Sequence, residues 1–110
     1  MTQPASIDDI PGLFLRLLDR DEALVREMTE QGGDIKEKGA VWYFSLPSFF
    51  AVLQNLYPAF ARVRYPAFRK ALFASPVNQA LMDVGWQVGL SESYGKVDQN
   101  IYCLRPVDPE

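Results

Sequence analysis

Four cations crowd into one short stretch of this chain, Arg62, Arg64, Arg69 and Lys70 within YPAFARVRYPAFRK. They are interleaved with Tyr57 and Tyr65, each of which opens a copy of the tetrapeptide YPAF. Cationic groups beside flat rings suit two binding tasks. They can grip phosphates while the rings stack on bases, or they can meet carboxylates on a protein surface, including that of a second copy of the chain. The plainer alternative is that their aliphatic stems lie over apolar surface and keep an aromatic-rich segment in solution.

Catalytic chemistry has much less to work with. There is no histidine, so the commonest general base and the commonest metal ligand are both missing. The single cysteine, Cys103, forms no disulfide within the chain and cannot build a thiolate zinc cage. In NIYCLR, beside Ile101 and Leu104, it is expected to be a buried, inert thiol. The acidic pairs Asp8-Asp9 and Asp21-Glu22 read as charges at helix starts, where the backbone dipole favours carboxylates. No calcium loop is present, nor a phosphate-cradling GxxxxGK[ST], a GxGxxG or a GxSxG elbow. The expectation is a chain that works by binding, with no chemistry, cofactor or metal of its own.

Charge is segregated along the chain. Residues 1–38 carry nine acids against five bases, and residues 83–110 carry five against two. The forty-four residues between them hold four bases and no acid, together with ten of the fourteen aromatics. The middle therefore reads as the core-forming part, with polar flanks. Overall the chain is acidic, with a sequence pI near 4.9, whereas a nucleic-acid-binding domain is usually basic.

A hydrophobic content of 48% in 110 residues is globular composition and suits one domain. No apolar run is long enough to span a membrane, and MTQPASIDDIPG lacks the cationic start and apolar core of a signal peptide. Cytoplasmic residence is the expectation, and a lone cysteine suits it.

The elements that must position the cations follow from spacing. Phe14, Leu17, Leu18, Leu24, Val25 and Met28 recur every three or four residues, which predicts amphipathic helix, broken near Asp19 and ended by Gly32-Gly33. AVWYFSL (40–46) reads as a strand. PSFFAVLQNLY then places Phe49, Val52, Leu53 and Leu56 on one helical face, closed by Pro58. Two YPAF copies eight residues apart fall about 80° apart around a helix, so they cannot share a face. Each proline is instead expected in the first turn of its own helix, 58–64 and 66–74, with Phe68, Ala71 and Leu72 inward and Lys70 outward. Ser75-Pro76 reads as a hydroxyl cap and a restart, and the pattern then runs through Val77, Leu81 and Val84 to Gly85. WQVGLSES alternates Trp86, Val88 and Leu90 on one face, Tyr94-Gly95 supplies a turn, and VDQNIYCLRPV returns as a second strand.

The fold expected is α+β: one small, mostly helical domain over 1–110, with a short central strand, a C-terminal hairpin, and frayed ends at 1–7 and 106–110. That element order resembles a winged helix, in which a central strand pairs with the hairpin and a helix-turn-helix lies between. The resemblance implies helices at PAFRKALFA and VNQALMDVGW, with Ser91 to Lys96 as the wing tip. On that alternative the chain binds nucleic acid through Arg62, Arg64, Arg69, Lys70, Asn78, Gln79 and Lys96, the two amides reading adenine edges. Against it, residues 76–86 contain no lysine or arginine and carry Asp83. The leading expectation is an interaction or regulatory module that binds a protein partner, or itself, through Tyr57, Arg62, Arg64, Tyr65, Arg69 and Lys70. Trp42-Tyr43-Phe44 and Phe49-Phe50 read as core, any surplus of exposed rings marking an interface.

Overall fold

The computed structural model describes residues 10–31, 35–96 and 99–107. The expected charges at Asp8-Asp9 and the expected stop at Gly32-Gly33 lie outside the described residues.

The first amphipathic run is two helices, α1 (Ile10–Leu18) and α2 (Glu22–Gln31). The break falls where the spacing places it. Arg20 adopts φ 60°, the Arg20 N–H reaches Leu17 O at 3.1 Å and the Asp21 N–H reaches Arg16 O at 3.0 Å. This paired closure satisfies the last carbonyls of α1 through one left-handed residue. Asp21 then starts α2, its Oδ1 accepting the Leu24 N–H at 3.1 Å.

The sheet has four antiparallel strands, β1 (Lys36–Lys38), β2 (Val41–Ser45), β3 (Trp86–Glu92) and β4 (Ile101–Pro106), in the spatial order β1-β2-β4-β3. The central strand and the hairpin do join, with Trp42 opposite Leu104 and Phe44 opposite Tyr102. The expectation of one central strand is corrected by β1, which pairs with β2 through Gly39-Ala40. Gly39 has φ 61°, at the position a type II′ turn reserves for glycine. Pro106, expected to be frayed, is paired opposite Trp86, and the Val107 N–H donates to Gly85 O at 2.8 Å.

Helices α3 (Leu46–Leu56), α4 (Tyr65–Ala74) and α5 (Val77–Met82) complete the chain. Ser45 caps α3, its Oγ accepting from the Ser48 N–H, and Tyr57 closes it before Pro58. The first YPAF copy does not make the helix expected over 58–64. It makes a single 3-10 turn at Pro58–Phe60, because the chain turns away again by Val63 to begin α4. Pro66 does occupy the first turn of α4. The expected cap at Ser75 is also corrected: its hydroxyl donates back to Ala71 O at 2.7 Å, so it ends α4 instead of starting α5.

Phe14, Phe44 and Phe49 stack within 5.1–6.1 Å of one another, joining α1, β2 and α3. Phe68 continues the line, 5.0 Å from Phe50 and 6.3 Å from both Phe49 and Phe60. These rings belong to one buried cluster that draws on every helix and on Trp42, Phe44 and Leu104 of the sheet. The opposite sheet face carries Lys36, Tyr43, Cys103 and Gly89 side by side, and Cys103, although buried, is not part of that cluster.

Candidate interaction surface

The core fixes the geometry of residues 57–74. Tyr57 is half-buried, 6.4 Å from the buried Phe60, and the Arg16 guanidinium lies 5.6 Å above its ring. Tyr65 packs on Phe50 and Phe68 at 5.8 and 6.4 Å, with the Arg69 guanidinium 5.8 Å from its centroid. Both tyrosines thus face inward and are roofed by arginine, an arrangement favoured by the ring quadrupole. The connector between them is held by Gln54, whose Nε2 donates to Phe60 O at 3.4 Å and to Val63 O at 3.3 Å.

Arg62 and Arg64 are exposed on that connector, and Lys70 is exposed on the outer side of α4. Among the described residues no carboxylate pairs with any of the three. Arg69 is half-buried and committed to Tyr65. The six residues expected to bind a partner therefore divide by role: Tyr57, Tyr65 and Arg69 build the support, and Arg62, Arg64 and Lys70 present charge that no described carboxylate pairs.

The amides expected to read bases are placed differently. Asn78 Nδ2 donates to Val88 O at 3.0 Å, and its Oδ1 accepts the Val88 N–H at 2.7 Å. One side chain thereby satisfies both outward groups of an edge-strand residue, as a neighbouring strand would. Sequence reasoning missed this role, since nothing in VNQALM says which backbone an amide will meet. Gln79 is exposed, and Lys96 stands on the β3–β4 connection, where its carbonyl accepts the Gln99 and Asn100 N–H groups at 3.0 Å.

Two hollows adjoin these elements. One, of about 380 Å³, lies between the α4–α5 junction and strands β3 and β4, and includes Leu72, Phe73, Val77, Val88, Leu90 and Tyr102. The other, of about 470 Å³, is on the sheet face away from the helices, between Lys36, Lys38 and Tyr43 on one side and Glu92, Tyr94 and Gln99 on the other. Tyr94 donates its hydroxyl to Glu92 Oε1 at 3.0 Å there. Among the described residues no group of three or more His, Cys, Asp or Glu side chains is placed to hold a metal ion. No described helix is long and apolar enough to cross a membrane.

Comparison with known families, curated proteins and solved structures gives no match. The functional reading rests on the geometry alone.

Proposed function

We propose that this chain is a non-enzymatic interaction module whose exposed cations, Arg62, Arg64 and Lys70, dock an acidic surface of a partner protein. The observation that carries the reading is that, among the described residues, no carboxylate pairs with these three groups, which stand on a support held by buried rings. Exposed cations on a backbone anchored by the core steer the approach of a carboxylate surface.

The runner-up is a winged-helix nucleic-acid binder using the same cations with Lys96. The β2-β4-β3 order, with the central strand paired to the last strand, supports it. Against it, the two tyrosines that would stack on bases lie under arginines, and Asn78 spends both ends of its amide on Val88. The readings separate with two probes, poly-L-glutamate and a short DNA duplex, titrated over a salt series against the parent and an Arg62→Gln/Arg64→Gln/Lys70→Gln variant. The protein-partner reading expects salt-sensitive polyglutamate binding that the variant loses. Failure of the parent to bind polyglutamate even at low salt overturns it. Duplex binding tighter than polyglutamate binding, with a steep log-log salt slope lost in the variant, moves the assignment to nucleic acid.

A further inference from the structure

The hollow between the α4–α5 junction and the sheet edge opens at the C-terminal end of α4, one turn beyond Lys70. Phe73 forms one lip and is 58% exposed; Leu90 forms another and is 50% exposed. Two exposed large apolar side chains thus rim an apolar recess, the kind of surface at which partners dock. Tyr102 lies inside the recess, edge-on to Phe73 with ring centroids 6.4 Å apart, and the lining includes no Asp, Glu, Lys or Arg. A volume of about 380 Å³ is enough for one or two large apolar side chains.

Charge decides what kind of chain would bring those side chains. Lys70 precedes Phe73 by three residues on α4, so the two are surface neighbours one turn apart. No acid occurs between residues 39 and 82, which leaves the α4 lip positive without an opposing carboxylate from its own segment. The far wall is an edge strand. Asn78 already occupies the outward N–H and C=O of Val88, and Leu90, two residues on, directs its own backbone groups the same way by the alternation of a strand. Among the described residues no side chain takes them as Asn78 takes those of Val88, which leaves them to an extended segment laid along the edge.

We propose that this recess receives the apolar side chains of an acidic, extended partner segment whose carboxylates meet Lys70. This inference rests on the reading of the cations as a protein-docking surface, and names the chemistry of the partner. Apolar residues of the segment enter between Phe73 and Leu90, and the intervening acidic residues face α4.

The test uses a displayed library of random short peptides selected on the immobilised full chain, with the enriched peptides then measured by fluorescence polarisation. The expected result is enrichment of sequences that pair Asp or Glu with Leu, Ile, Phe or Trp. Phe73→Ser and Leu90→Ser should each weaken the selected peptide by about tenfold, as loss of a central apolar anchor does. Both positions are exposed, so both variants are expected to keep the parent's circular dichroism spectrum, and either alone suffices. If both variants bind as the parent does while the Arg62→Gln/Arg64→Gln/Lys70→Gln variant loses the peptide, the recess is excluded and the cationic docking surface stands. Peptides insensitive to all three variants remove both readings. Enrichment of sequences without acids, or no enrichment over the bare support, overturns the partner chemistry. A parent dimer that Phe73→Ser converts to monomer gives the recess to a second copy and overturns the proposal.

Discussion

Replacing Asn78 with alanine removes two hydrogen bonds that close the outer edge of β3, and the loss can be worked out from their geometry. At 2.7 and 3.0 Å both are well formed, and each such bond is worth about 0.5–1.5 kcal/mol net. The site is exposed, so water can take the place of the amide, and the lower end of the range applies. Two bonds at about 0.5 kcal/mol give about 1 kcal/mol. Alanine recovers up to about 0.7 kcal/mol through its better helix propensity in α5. Global stability by urea titration should therefore fall by no more than about 1 kcal/mol. The sharper readout is local. In the parent, the Val88 N–H exchanges only when the contact between α5 and β3 opens. In Asn78→Ala it faces water, and its hydrogen-exchange protection should drop about fivefold or more relative to neighbouring amides of β3. Asn78→Asp keeps an acceptor for the N–H but sets a carboxylate against Val88 O, so it should retain protection while losing stability. Unchanged exchange at Val88 in Asn78→Ala would refute the reasoning, because the amide would then owe its protection to something else.

Other expectations follow from the same geometry. Phe68→Ala removes the ring shared by Phe49, Phe50, Phe60 and Tyr65; a cost of about 3–5 kcal/mol is expected by denaturant titration, and a loss under 1 kcal/mol would mean the rings do not form one packed line. Arg20→Gly relieves a left-handed residue, worth about 1 kcal/mol, at the expense of an exposed ion pair with Glu37, worth well under 1 kcal/mol; a modest rise in melting temperature is expected, and a fall would show the pair to be the larger effect. Cys103 is 2% exposed, so its reaction with a thiol reagent should track global unfolding, and rapid labelling of the native protein would contradict its burial.

Where the sequence proved readable and where it did not has physical causes in particular residues. Phe14, Leu17, Leu24 and Met28 announced α1 and α2 because burial on one side imposes a helical period, and all four are buried. VWYFS announced β2 for the same reason, with Trp42 and Phe44 inward. Lys36-Glu37-Lys38 announced nothing: all three residues are exposed, so no apolar alternation marks the strand. Charged residues also suit an unpaired sheet edge, where lysine discourages association. The one available signal was Gly39, at the two-residue turn between β1 and β2. The two YPAF copies are alike in sequence, and both phenylalanines are buried. They differ in structure because only the second is followed one turn later by another buried residue, Leu72, where the first has the exposed Arg64. The cations were legible as a cluster. Their division into exposed charges and ring covers was not, since it depends on which rings the core turns inward.

The strand order β1-β2-β4-β3 places the last strand of the sheet at its interior. During synthesis, β2 and β3 emerge with no partner between them, and the span from Val41 to Glu92 waits for Ile101–Pro106 to join its two halves. Before β4 is made, β1 and β2 can pair, but β3 has no neighbouring strand. The sheet therefore closes by long-range pairing of β2 with β4, which is slow. Until then the inward faces of Trp42, Phe44 and Val88 have no strand to bridge them.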